Sequence, residues 1–304
     1  MHAALIALSI IVSTAAIVLW VRNFDVSGPA VEAMIGRLRW WALVPLFALL
    51  SFHVALASWR WSIIDSALGG SAGIPGQAFN FGAIAMAFGT FLPPPLVYVA
   101  CRGLANRMNG ASPIRGAVSG AIDQGADFLV VLMMAIPSAM ALLGGSLLSF
   151  LAGAAMMAVV GLVGALGVPR SAMIGTLLVK AGLGGFHDGQ TLLRIYGLSL
   201  LRVVNLIAIT LLISLACGAG SAEAIIVGVP LVTLAISIAM LPGALGVSEW
   251  SFTAVFAAFG LPASETVTFV LANRLLLTSL ALLLGGIACV AMAMRFRSRQ
   301  RITA

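Results

Sequence analysis

The sequence predicts an all-α integral membrane protein, a polytopic helical bundle carrying two broken or re-entrant helix repeats of inverted orientation. Three observations lead there. Of 304 residues, 62% are hydrophobic and only 8% charged, against about 45–50% and about 25% in a soluble domain. The mean hydropathy of +1.14 leaves no room for a separate water-soluble domain of useful size, so 1–304 reads as a single transmembrane domain. The apolar runs approach the ~20 residues that a spanning helix needs, whereas a transmembrane barrel would alternate polarity over ~10-residue segments.

Apolar segments fall at 3–21, 40–59, 77–100, 116–136, 139–168, 196–217, 222–241, 250–262 and 266–294. The first lacks a basic start and a small-residue cleavage site, so it is expected to remain as a helix rather than to be removed as a signal peptide. Segment 77–100 is interrupted by Pro93, Pro94 and Pro95, and 250–262 is too short to span comfortably. Between 222–241 and 250–262 lies LPGALGVSEW, with Pro242, Gly243 and Gly246. A helix interior resists Pro by ~3 kcal/mol and Gly by ~1 kcal/mol. In hydrocarbon each backbone group freed by a break needs a partner, so breaks persist where protein or a water-filled cavity surrounds them.

Lys and Arg set the expected orientation. The tail with Arg295, Arg297, Arg299 and Arg301 reads as cytoplasmic, as do a loop with Arg102, Arg107 and Arg115 and the 169–195 connection with Arg170, Lys180 and Arg194. The turns near 137–141 and 218–222 carry no Lys or Arg and suit the outer side. Two arrangements satisfy these anchors. Every segment crosses, giving nine helices and an external N-terminus; or 77–108 and 222–262 are hairpins entering from inside and outside, leaving six full crossings. The second leaves Arg22, Arg37 and Arg39 outside, partly offset by Asp25 and Glu32.

An internal repeat favours the hairpins. Residues 77–136 and 222–294 each contain Leu-Pro after an apolar run, then a charged residue: Arg102, nine after Pro93, or Glu249, seven after Pro242. Gly110 or Gly260 follows, and thirteen residues on comes a polar pair, Asp123-Gln124 or Asn273-Arg274. Broken helices at matching positions of two halves point to a transport site near the bilayer midplane.

The net charge of +7 reflects orientation signals. No basic stripe with stacking aromatics suggests nucleic acid. Cys101, Cys217 and Cys289 form no CxxC pair, and His2, His53 and His187 are scattered, so no metal is expected. No phosphate-cradling GxxxxGK[ST] occurs, and no cofactor is expected.

Asp123 and Asp127 share a helical face with Gly116 and Gly120. A mid-helix charge costs ~2.5–3.5 kcal/mol on insertion scales, so the two aspartates must be paired, protonated or lining water. The readings are a packing pair near a helix start, or a cation, proton or head-group site. Arg274, beside Asn273, either pairs with Glu249 or an aspartate, or holds a lipid phosphate. Glu249 suits the cap of a helix starting near Trp250 as well as a substrate role. Arg60 and Trp61, in ASWRWSIID, read first as an interface anchor and second as a head-group site. Gln77 and Asn80 are weaker candidates, and Ser248 and Thr278 read as helix contacts. His187 and Asp188 read as a solvated loop, and 171–195 as either an interfacial segment or a plain loop.

The RW pair after the second helix, the Leu-Pro break followed by an Arg, the intramembrane acidic pair, and LPGALGVSE with Gly260 and NRLLL form a pattern. It resembles the flippase-like transmembrane family found as the membrane half of bacterial lysylphosphatidylglycerol synthases, with stand-alone members associated with glycosylation and hopanoids. The first break reads LPPPL where that family has glycines after the proline, and Ser248 stands where it often has Arg. The resemblance implies movement of a modified lipid between leaflets of a bacterial inner membrane. It implies substrate-binding roles for Arg102, Asp123, Asp127, Glu249 and Arg274, and Asn273 beside Arg274 is a further candidate substrate-binding residue. The implied partners are the lipid and a lipid-modifying enzyme or glycosyltransferase. The sequence reaches Ala304 with no soluble aminoacyl-transferase domain, so lysyl transfer is not expected of it. The competing expectations are a membrane-embedded glycosyl or lipid transferase using Asp123 or Asp127 as base, and a non-catalytic scaffold.

Overall fold

The computed structural model describes all residues except 1, 25, 71–74, 168–185, 187 and 304. The described residues form eleven α-helices and no strand. They are α1 (His2–Asn23), α2 (Gly28–Arg37), α3 (Leu43–Ala67), α4 (Pro75–Gly89), α5 (Pro94–Met108) and α6 (Pro113–Leu142). Then follow α7 (Leu147–Gly167), α8 (Gly189–Cys217), α9 (Ala222–Ala239), α10 (Val247–Ala258) and α11 (Ala263–Thr303). Among the described residues six stretches are long and apolar enough to cross a membrane: α3 with its leading 3-10 turn, α6, α7, α8, α9, and α11 as far as Arg295. The exterior is correspondingly apolar, with Val44, Ile114, Leu143 and Leu148 each more than 70% exposed. Water would penalise such a surface and lipid does not. The chain is a multi-pass membrane protein.

Side-chain caps start several of these helices, Ser146 accepting from the Ser149 N–H at the start of α7. Ser112 accepts from the Arg115 N–H, Ser221 from the Ala224 N–H, and Asp188 from the N–H groups of Gln190 and Thr191. Asp188 is exposed and outside the helix, as the loop reading expects, and its carboxylate is in addition the N-cap of α8. The bonds from the Gln190 N–H and the Thr191 hydroxyl hold it below the usual aspartate range. His187, Arg170, Lys180 and most of the 171–195 stretch lie outside the described residues.

Two helical hairpins organise the bundle. In the first, α4 runs up, turns at 90–93 and returns as α5, so that Arg102 reaches back to the Ala78 carbonyl at 3.1 Å. The turn closes with Leu92 N–H on the Phe88 carbonyl at 3.0 Å, and α5 opens on Pro94, whose missing N–H would be unpaired there anyway. Arg102 is thus inside α5 and not in a loop. In the second hairpin, α9 and α10 pack so closely that a Cβ on Gly228 would lie 2.5 Å from Val255 Cγ1. Their connection bends through Met240, Gly243, Ala244 and Gly246, all at positive φ.

The hairpins enter from opposite ends. The base of the first sits with the C-terminal end of α3 and the start of α6: Asn106 donates to Asp65, and Arg115 to the Gly69 carbonyl. The Arg295 guanidinium lies against Gly76 at that end. The base of the second sits with the other ends of the same helices: Glu223 accepts from the Leu147 N–H, and Arg39 N–H reaches the Ala216 carbonyl. The two tips meet, with Gly243 N–H donating to the Leu92 carbonyl at 3.2 Å.

Gly243 has φ +58, and a Cβ there would stand 2.2 Å from the Thr90 carbonyl oxygen. Gly243→Ala is expected to cost about 1–3 kcal/mol in backbone strain alone, with more from the clash. Gly164→Ala, at a helical site with nothing within 4 Å, is the control and should be neutral or stabilising. Thermal unfolding in detergent compares them, and equal stability of the two variants would refute the contact between the tips.

Candidate functional site

The intramembrane aspartates are paired, and with residues on two other helices. Arg60 on α3 is 0% exposed and binds Asp123 through Nε at 2.7 Å and through Nη2 to the Asp123 carbonyl at 2.9 Å. Its Nη1 donates to Ser199 on α8 and to Asp127. The other oxygen of Asp127 accepts from Arg202, also on α8, and Arg202 Nη2 stands 2.9 Å from His53 Nε2 on α3. Sequence spacing makes this assembly: 123 and 127, 53 and 60, and 199 and 202 each share a helix face. Two guanidiniums meet two carboxylates, so no net charge is carried into the bilayer. Asp127, Arg202 and His53 all lie near the middle of their helices.

Arg60 and Trp61 are not interface anchors. A snorkelling Arg keeps its head in water, whereas this one is enclosed, and Trp61 is 1% exposed with its Nε1–H on Ser119 Oγ. Trp59 is the outward-facing ring of that trio. Arg102 is also sealed. Its guanidinium stacks 4.4 Å from the Trp61 ring centroid and donates to the Ala78 and Ala57 carbonyls, tying α5 to α3 and α4. Gly116 and Gly120 permit this: a Cβ on Gly116 would lie 2.5 Å from the Arg102 carbonyl oxygen. Beside it, buried Asp65 accepts from Asn106 and Ser119.

Two cavities adjoin at His53. One, of about 280 Å³, is bordered by His53, Thr90, Tyr98, Ser248, Asn273 and Arg274. The other, of about 490 Å³, is bordered by His53, Gln124, Asp127, Arg202, Ser237 and Met240. Neither is lined by Arg102, Asp123 or Glu249. The structure therefore separates the residues singled out from sequence: Arg274 and Asn273 border the first cavity, Asp127 borders the second, and Asp123 and Arg102 stand behind them.

Arg274 pairs with no aspartate. Its Nη1 donates to the Gly243 carbonyl at 2.7 Å, and its Nε is 3.8 Å from Glu249. Glu249 is 2% exposed and neither carboxylate oxygen accepts a hydrogen bond. It does not cap its helix, which begins at Val247 with Gly246 as N-cap and no side-chain cap. Its place in the first turn still favours a negative charge. Pro93 and Pro242 sit at the two breaks, and Gly246 approaches α1, where its Cβ would meet Ala16 at 2.3 Å.

Sequence reasoning missed Arg202 and His53. The signal was present: an Arg within LLRVVNLIAITLL is as anomalous as Arg274, and an intramembrane ionisable residue is a candidate by default.

Removing Arg60 strands Asp123 in a dry interior. Breaking a buried pair by deleting one partner costs about 3–5 kcal/mol, whereas replacing both by apolar groups is often near neutral. Arg60→Ala should therefore lower unfolding stability severely, and Arg60→Met with Asp123→Leu should recover most of the loss. Denaturant unfolding of the three proteins checks this, and additive losses in the double variant would contradict the pairing.

No curated protein and no solved structure matches the chain. The sequence pattern of the lysylphosphatidylglycerol synthase TM region does match, over residues 5–285. With that match, the paired intramembrane charges and the six apolar helices agree in class, and the chain belongs to the lysylphosphatidylglycerol synthase TM region family.

Proposed function

We propose that the protein carries a modified lipid between leaflets, its head group passing along the two cavities while the acyl chains stay in hydrocarbon. One observation carries this reading: Asp127 and Arg202, midway along α6 and α8, border a cavity of about 490 Å³ instead of being packed away. Ionisable groups at that depth are costly and mark substrate or ion paths. The two hairpin tips, joined beside Arg274, supply the broken-helix geometry from which such paths are built. The driving force would be an ion gradient or downhill flow of lipid made by a separate lipid-modifying enzyme. The location we infer is a bacterial inner membrane. The basic end of α11 and the base of the first hairpin, which share one end of the bundle, would then face the cytoplasm. On this reading the chain itself is not an enzyme.

Reconstituted vesicles test it. The wild-type protein should equilibrate a labelled phospholipid between leaflets, and Arg274→Ala and Asp127→Asn should each slow this at least about tenfold, the loss of one charged contact, while still inserting. Unchanged rates in both variants would remove the site. A chemically altered lipid appearing with purified protein alone would replace translocation by a transferase reading.

A further inference from the structure

The two cavities are stacked along the bundle and share one collar of side chains. Among the described residues, His53 on α3, Leu206 on α8 and Thr233 on α9 border both. On α8, Ile209 and Thr210 border only the first cavity, and Arg202 and Val203 only the second. On α9, which runs back from the end of α8, Val229 and Val232 border only the first, and Ser237 and Ile238 only the second. On α3, Leu50 belongs to the first. All three helices agree on the order. The first cavity lies about one helical turn, ~5 Å, nearer the end of the bundle that carries Glu223, and the second nearer the end that carries Arg295.

The collar is therefore a partition between two polar compartments. Asn273 and Arg274 stand on one side of it, and Gln124, Asp127 and Arg202 on the other. Two of its three members are tied. His53 Nε2 stands 2.9 Å from Arg202 Nη2, and Thr233 Oγ1 donates to the Val229 carbonyl at 2.7 Å. Leu206 has no polar atom in its side chain to tie it, and it is half-buried at the edge of the main hydrophobic core. An apolar side chain at a constriction breaks a water chain by dewetting. A leucine can also leave such a position by a change of rotamer, without moving its helix.

We propose that Leu206 is the specificity-determining barrier of the path. Its side chain keeps water and ions from running between the two cavities, and turns aside only when a lipid head group fills the collar. A passage wet along its whole length would dissipate any ion gradient available to drive the lipid. The role toward lipid rests on the translocation reading; the barrier to water and ions stands on the shared collar alone.

Vesicles holding the intact protein and a pH-sensitive dye, given a step in external pH, read the leak. Leu206→Met keeps an apolar side chain of similar volume, and Leu206→Asn substitutes a polar one. The Met variant should be as tight as the wild type. The Asn variant should raise the proton leak at least about tenfold, the scale of one leucine's apolar contribution to a barrier. A tight Leu206→Asn shows that the collar does not hold back water, and an equal leak in both variants shows that shape and not polarity matters; either overturns the proposal.

A second measurement keeps Leu206 in place. In a chain whose three cysteines are replaced by alanine, Thr278→Cys reports the first cavity and Ser237→Cys the second. A membrane-impermeant thiol reagent should modify the two from opposite faces of the vesicle, and Leu206→Asn should let it reach both from either face. Modification of both from one face with Leu206 present would show the cavities already joined and overturn the barrier. If wild-type protein moves no lipid, translocation fails, and the leak and labelling results still decide the role of Leu206.

Discussion

Hydrocarbon offers a charged side chain nothing, and this bundle places four of them near its middle. Arg60, Asp123, Asp127 and Arg202 must therefore satisfy one another, and doing so dictates much else. A mid-membrane charge left alone costs ~2.5–3.5 kcal/mol on insertion scales, so slipping any one helix by a turn would forfeit several kcal/mol. The network thereby fixes the rotation of α3, α6 and α8 about their axes. It turns His53 inward on α3 and leaves Trp59 outward, and on α6 it directs Gly116 and Gly120 at α5, where they admit the Arg102 backbone.

The hairpin tips are a second constraint, and it is one of backbone. A break inside a membrane leaves N–H and C=O groups that lipid cannot serve. Here the two breaks serve each other: the Gly243 N–H goes to the Leu92 carbonyl, and the Gly243 carbonyl goes to Arg274. The Thr90 carbonyl oxygen, 2.2 Å from where a Cβ would stand, leaves that position room only for glycine. The junction also holds an arginine, whose Nε lies 3.8 Å from Glu249 and whose side chain is 31% exposed.

Much of this was legible in the sequence. The composition gave the class, and the Leu-Pro breaks gave the discontinuities. The four-residue spacing of Asp123 and Asp127 gave a charged face. What failed was depth. WRW at a drop in hydropathy looks like the end of a helix, so Arg60 and Trp61 read as an anchor. In fact α3 continues to Ala67, because Arg60 and Asp65 find partners within the protein. Hydropathy sees a charge but not its partner, and a paired charge does not end a spanning helix. The same blindness passed over Arg202, hidden in a run whose average stays apolar. Glu249 was misjudged for a different reason: the helix it was expected to cap starts at Val247, putting Glu249 inside the first turn and not before it.

Arg102, Arg202 and Arg274 differ in how much of each is committed, and that difference sorts their roles. Arg102 spends its guanidinium on two carbonyls and the Trp61 face, with no cavity beside it, so it holds helices together. Arg202 has one terminal nitrogen on Asp127 and the other on His53, so it transmits the orientation of the charge network to the imidazole. Arg274 has one terminal nitrogen on a backbone carbonyl, a carboxylate no closer than 3.8 Å, and an open flank. A ligand oxygen approaching the first cavity would have to break an ion pair to recruit Arg202, but none of hydrogen-bonding length to recruit Arg274. Charge in this bundle is therefore graded from locked to available along the path from Asp123 to Arg274, and the available end lies where the two broken helices touch.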